Sequence, residues 1–195
     1  QHYMPGGISI DSSCFTGIDG LYACGEVTGG VDGASRIGGN ALTNIVTFGL
    51  LAGRAAAETV EIAGEDFSPL VSSTLMEAWG RGSLVPGTIR KRIRAIVQES
   101  LGPVRNARKI TTALEQLEEI DLTLEDLAVR DRQDLLLALE MKGMVDTAIA
   151  IGRSALLREE SRGVHFREDF PIKRDEWRKN IETCLKDGRI EARVL

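Results

Sequence analysis

Ten of the 21 glycines in this 195-residue chain fall between Gly6 and Gly39, and that crowding limits the fold more than any other feature. Glycine costs a helix or strand interior roughly 0.5–1 kcal/mol relative to alanine, yet it takes φ > 0 freely and lets backbone approach a neighbour with no Cβ in the way. The first forty residues must therefore be turns, loops and short strands that press main chain against something. Dispersed among the glycines stand His2, Glu26, Arg36 and Asn40. That mix of donors and acceptors suits a flat ligand carrying phosphates, hydroxyls or carboxylates.

Three blocks carry the pattern: His2-Tyr3-Met4-Pro5-Gly6-Gly7-Ile8, Gly20-Leu21-Tyr22-Ala23-Cys24-Gly25-Glu26, and Gly33-Ala34-Ser35-Arg36-Ile37-Gly38-Gly39-Asn40-Ala41-Leu42. A fourth block lies far downstream, with Arg158, Glu160-Ser161-Arg162-Gly163, His165, Arg167, Asp169 and Pro171 in order. Together they resemble the C-terminal part of the flavoprotein subunit of the fumarate reductase and succinate dehydrogenase family, whose usual forms are HYxMGG, GLYAxGE, GANRLGGNSL and RxESRGxHxRxDxP. The resemblance covers nearly the whole chain and is weakest from about Glu61 to Val85. L-aspartate oxidase shares the superfamily, but its segment after the arginine resembles M-A-S-N, where this chain has Ile37-Gly38-Gly39-Asn40. That difference favours the dicarboxylate branch.

The resemblance implies FAD as cofactor and interconversion of fumarate and succinate, or of a related dicarboxylate, by hydride transfer at flavin N5. Such a site must hold two carboxylates and polarise a double bond. Arg36 resembles the family's substrate-carboxylate arginine, whose planar fork donates two parallel hydrogen bonds, and His2 its substrate-clamping histidine. Gly25, Glu26, Asn40, Ala41 and Leu42 match the family's FAD contacts. Glu26 would accept from ribityl or ribose hydroxyls, while Asn40, Ala41 and Leu42 would open a helix whose N-terminus favours the negative charge of reduced flavin. Each has a plainer reading: a solvated histidine, a structural arginine, a turn acid, an N-cap asparagine. The chain departs from the family at Asp32, where histidine is common, at Ser35, where asparagine is common, and at Pro5, where methionine is common. Asp32 places a negative charge near the acid-binding arginine, which leaves the identity of the acid open.

A dinucleotide cradle needs a strand, a G-x-G-x-x-G turn and a helix, and no such motif occurs here. The sequence opens at Gln1 in what the family would treat as an active-site strand, so it reads as a fragment, inactive by itself. The N-terminal flavoprotein portion would be its first partner and an iron–sulfur subunit the second. A net charge of −5 offers no basic field for phosphodiesters, so nucleic acid is rejected as a partner. Three cysteines, Cys14, Cys24 and Cys184, form neither a C-x-x-C motif nor an even disulfide set, which suggests a reducing, cytoplasmic compartment. No metal site is expected, His165 being the sole imidazole near the downstream acids. No run of eighteen apolar residues supports a membrane span, so membrane association would be peripheral, through partner subunits.

The fold expectation is α/β plus α: a partial FAD-binding flavoprotein domain over residues 1–62, a connector with a short helix over 63–87, and a helical C-terminal domain with a terminal hairpin over 88–195. Ile8 and Ile10 alternate as a short strand, and Leu21 to Cys24 reads as a buried one. From Asn40, Leu42, Ile45, Val46, Gly49, Leu50, Gly53 and Ala57 keep helical spacing, as for a helix buried nearly all round. Helices are expected over Thr88–Leu101, from Pro103 to about Ile120, from Leu124 to Lys142, and from Met144 to Glu160. Ile89, Ile93, Ile96 and Val97 make one apolar stripe, and Ile110, Leu114 and Leu117 another, as in a small bundle. Around Lys186-Asp187-Gly188 the alternation signals a β-hairpin. The charges from Arg158 to Asp169 read as a solvated or ion-paired junction, or else as a clamp between the helical and flavin domains. Within enzymes the alternative is L-aspartate oxidase, and outside them a non-catalytic assembly module.

Overall fold

The structure, a computed structural model, describes residues 3–59 and 82–195. His2 and residues 63–81 of the expected connector lie outside the described residues. The chain divides into two compact units, Gln1–Glu65 and Asp66–Leu195.

In the first unit the expected strands shrink to single pairings. Ile8 bridges Thr28 in parallel, with Ile8 N–H donating to the Val27 carbonyl at 2.8 Å and Gly29 N–H to the Ile8 carbonyl at 3.0 Å. Phe15 bridges Tyr22 antiparallel. A strand exists only as a ladder with a neighbour, and here each segment meets a neighbour at one residue pair. Leu21 is 46% exposed, so the Leu21–Cys24 run is not the buried strand its apolarity suggested. A 3-10 turn, Gly25–Val27, replaces its end and closes with the Thr28 hydroxyl donating to the Gly25 carbonyl at 2.7 Å.

Helix α1, Asn40–Thr59, starts where expected. It is not buried all round: only Asn44 and Ala52 are buried, while Leu42, Val46 and Leu50 are 70%, 70% and 55% exposed. Gly49 and Gly53 have open space where a Cβ would stand, so their smooth face touches nothing among the described residues. The apolar spacing is real, but no described residue covers it.

The second unit is a helical bundle. Helices α2 (Pro86–Ser100), α3 (Ala107–Thr123) and α4 (Arg132–Leu157) bury Ile89, Ile93 and Ile96 against Ile110, Leu114 and Leu117 and against Met141, Val145 and Ile149. Each such side chain contributes roughly 1.5–3 kcal/mol on full burial. Both expected stripes are core. Gly152 is required by close packing, since a Cβ there would stand 2.8 Å from Leu114 Cδ2.

Four helix boundaries differ from expectation. Pro103 opens no helix: it precedes strand β1 (Val104–Arg105), and α3 begins after Asn106, whose side-chain oxygen accepts from Lys109 N–H at 2.9 Å. The Leu124 segment is a 3-10 turn, and α4 begins after Asp131, whose carboxylate accepts from Asp134 N–H at 2.8 Å. One helix then runs through Gly143, where two were expected. Glycine costs a helix interior only about 1 kcal/mol, and the fully buried Met141 and Val145 on either side outweigh that. The helix ends at Leu157 rather than Glu160.

Strand β1 pairs in parallel with β2 (Phe166–Arg167). Strands β3 (Ile181–Lys186) and β4 (Arg189–Val194) form the expected hairpin, with Lys186 opposite Arg189. Asp187 at φ 49° and Gly188 at φ 75° give the doubly left-handed turn that a two-residue loop needs. Among the described residues no helix is long and apolar enough to cross a membrane.

Candidate functional site

Four side chains of the first unit converge on one spot. The Arg36 guanidinium lies 4.2 Å over the Tyr3 ring, the Tyr3 hydroxyl donates to the Asp32 carboxylate, and Asn44 Nδ2 reaches the same carboxylate oxygen at 3.5 Å. Arg36 and Asp32 come from the glycine-rich loop, Asn44 from the second turn of α1. A cation over a phenol face is worth roughly 0.5–2 kcal/mol, which holds the guanidinium without using its donors. Arg36 Nε is buried with no hydrogen-bond partner, and so is Asn44 Oδ1. The phenol's pKa is raised, chiefly by its bond to Asp32, because ionising it would set two anionic oxygens side by side.

The expected cofactor residues frame this cluster. Gly25 is buried at φ 81°, and a Cβ there would stand 3.1 Å from Ile45 Cγ2 of α1, which explains a glycine at that contact. Glu26 is exposed, and its carboxylate accepts from Met4 N–H at 2.9 Å, so the acid ties the segment carrying Tyr3 to the Gly25 turn. Gly7 packs on the Val27 carbonyl, where any Cβ would collide. Asn40 is the first residue of α1, its N–H donating to the Ile37 carbonyl at 3.2 Å, while Ala41 is half-buried and Leu42 exposed. Beyond them, a Cβ on Gly30, Gly33, Gly38 or Gly39 would meet nothing. The loop thus presents bare backbone and an open helix N-terminus. Of the residues singled out in the sequence, Arg36 enters the cluster, Glu26 adjoins it through Met4, and His2 lies outside the described residues. Asn44 was missed, although a lone amide in an apolar helical run is a readable signal. Asp32 was seen as a departure without its bond to Tyr3.

The downstream charges take the ion-paired form of the expected junction, as a buried knot, and not the solvated one. Glu160 has no exposed surface and accepts from Arg158 Nη1 at 3.0 Å, Arg162 Nε at 2.6 Å and Arg174 N–H at 2.9 Å. Burial alone would raise its pKa, but these donors overcome that and lower it. Arg167, 1% exposed, pairs with Asp169 at 2.8 Å and donates to the carbonyls of Ala155, Leu156 and Arg158 at the end of α4. His165 Nδ1 accepts from Arg105 Nη1 at 3.0 Å. Burial and the neighbouring guanidinium of Arg105 push its pKa down to about 4, so the ring is neutral. Among the described residues no group of three or more His, Cys, Asp or Glu could hold a metal ion.

Residues 90–193 match the fumarate reductase flavoprotein C-terminal family, and residues 1–42 match the FAD binding domain. An uncharacterised FAD-dependent oxidoreductase of Methanocaldococcus jannaschii is 41% identical over 92% of this chain and 34% of its own length. One subunit of the fumarate reductase (CoM/CoB) of Methanothermobacter marburgensis is 38% identical over 92% of this chain and 34% of its own. Among solved structures, the FrdA chain of a mutant Escherichia coli quinol fumarate reductase superimposes with a TM-score of 0.85 at 28% identity, covering 96% of this chain and 35% of that one. The chain spans about a third of the length of the relatives it matches. With over half of its residues matched to one family across the helical unit, and the glycine-rich loops matched to an FAD-binding domain, the chain belongs to the fumarate reductase flavoprotein C-terminal family.

Proposed function

We propose that this chain supplies the acid-binding wall of an FAD-dependent flavoprotein that interconverts fumarate and succinate, or a closely related dicarboxylate. One observation carries the reading: among the described residues Arg36 has no acidic partner, and its Nε is buried and unbonded. A half-buried guanidinium whose donors meet no acceptor among the described residues is poised for an anionic ligand. Arg158, Arg162 and Arg167 are all committed to carboxylates.

The residues present fit FAD as one face of its site. Gly25 and the bare loop glycines admit close backbone approach, Glu26 would accept from hydroxyls, and Asn40, Ala41 and Leu42 offer a helix N-terminus to negative charge. FAD, when bound, supplies the hydride acceptor and donor. Arg36 would grip one carboxylate and fix the acid's orientation, and His2 would clamp the same acid. Electrons would pass to or from an iron–sulfur subunit, in keeping with the relative named as one subunit of a fumarate reductase. The remaining flavoprotein portion would complete the dinucleotide cradle.

The test is steady-state kinetics of the full-length, FAD-loaded enzyme on fumarate, succinate and L-aspartate. Turnover of fumarate and succinate is expected, with L-aspartate inactive. Arg36→Lys keeps the charge but loses the fork, which should cost on the order of 2–4 kcal/mol of transition-state stabilisation, or roughly 30- to 1,000-fold in kcat/KM. KM should rise as kcat falls, with flavin retained. An unchanged kcat/KM removes Arg36 from the site.

A further inference from the structure

Nothing in the resemblance accounts for Asp32, and its contacts give it a role. Among the described residues no ion pair joins Asp32 to Arg36; Tyr3 links them, its hydroxyl on the Asp32 carboxylate and its ring face under the Arg36 guanidinium. Asn44, 5% exposed, reaches the same oxygen of that carboxylate from α1 at 3.5 Å. An O–H donated to a carboxylate polarises the phenol toward its anion, and the ring face that carries the guanidinium becomes more negative. The arginine is therefore oriented by a π-face, which uses none of its N–H donors. A direct Asp32–Arg36 pair would have consumed the very donors an acid needs.

We propose that Asp32 is a positioning residue for Arg36: through the Tyr3 hydroxyl it fixes the ring on which the guanidinium rests, leaving the fork free for a substrate carboxylate. The proposal rests on the reading of Arg36 as the acid-binding residue. A histidine at position 32 could anchor the phenol through a neutral ring nitrogen. The aspartate does so with a full negative charge one phenol away from the substrate's carboxylate.

The experiment is a mutant cycle in the full-length, FAD-loaded enzyme with fumarate as the probe. Asp32→Ala and Tyr3→Phe both delete the same hydrogen bond, so each should raise KM about tenfold, the loss expected for one charge-assisted bond, with flavin occupancy and its absorbance spectrum unchanged. The double variant should be no worse than either single one. Asp32→Asn, which keeps an acceptor for the phenol, should restore most of the lost affinity. An unchanged KM in Asp32→Ala, or effects that multiply in the double variant, overturns the proposal. Should Asp32→Ala fail to hold flavin, Tyr3→Phe decides alone: a KM equal to that of the parent enzyme overturns it as well. Arg36→Lys run beside these separates the two ideas. If it cripples the enzyme while Asp32→Ala does not, only Asp32 loses its role; if it changes nothing, the site reading itself fails.

Discussion

Arg167 donates to three carbonyls and a carboxylate, while Arg36 rests on a ring and keeps its buried Nε unbonded. Residue type does not separate them; the census of partners does. The arginines of the knot are structural, and the expected consequence is large. Glu160→Ala leaves Arg158, Arg162 and the Arg174 N–H without their shared acceptor in a dry environment, so it should cost about 3–5 kcal/mol of unfolding free energy, as broken buried pairs do, read from denaturant midpoints of the full chain. Arg36→Ala should cost only about 0.5–2 kcal/mol by the same measurement, because among the described residues it breaks a contact with the Tyr3 ring and no ion pair. At this scale the sequence singled out Arg36 and Glu26, since both stand in its glycine-rich blocks. It hid the Asp32–Tyr3 bond, because 29 residues of chain separate the two and only the loop's path brings them together.

At the scale of elements, periodicity located α1, both apolar stripes and the hairpin, because burial and turn chemistry leave local marks. The two helix starts that a side-chain cap decided were not read from the sequence, which placed them at Pro103 and Leu124. Asn106 and Asp131 cap by side-chain oxygens, whereas the competing signals, Pro103 and Gly143, were stronger to the eye than in energy. The exposed face of α1 could not be read from sequence, since periodicity reports what a helix can bury and is silent on what arrives to cover it. The loop joining α4 to β2 carries a pH signature. His165 is held neutral, its folded pKa of about 4 lying below the ordinary value of 6.5; between these the unfolded chain binds the extra proton. Stability should therefore decline as pH drops from 6.5 to 4, by at most ~1.4 kcal/mol per unit and by less because the ring is not sealed from water. Glu160 and Asp169 have lowered pKa values, from their arginine and backbone donors against the pull of burial. Their contribution is full above the ordinary carboxylate range and is lost below it. Thermal midpoints followed by circular dichroism should show both limbs, and His165→Gln should remove the upper one alone.

For the whole molecule, two units of different character share one chain. The helical unit carries a continuous core, while the first unit leaves Leu42, Val46 and Leu50 of α1 exposed. The 195-residue chain by itself should hold FAD too weakly to survive gel filtration, since its sequence has no G-x-G-x-x-G cradle for the pyrophosphate. One FAD per chain in the eluted peak, read from the flavin's visible absorbance, would contradict this.

The pairing of β1 with β2 joins stretches far apart in the chain. Val104 meets Phe166, Asn106 Nδ2 donates to Glu168 at 2.6 Å, and Ala107 N–H donates to Asp169 at 2.9 Å, each contact closing a loop of 62 residues. Closing so long a loop sacrifices chain entropy before any contact repays it. Helices α3 and α4, whose contacts are nearer in sequence, can assemble first and bring the two ends together. The acid that meets the start of α3 and the arginine that takes the last carbonyls of α4 are one ion pair, so a single latch fastens two helix ends that lie far apart along the chain.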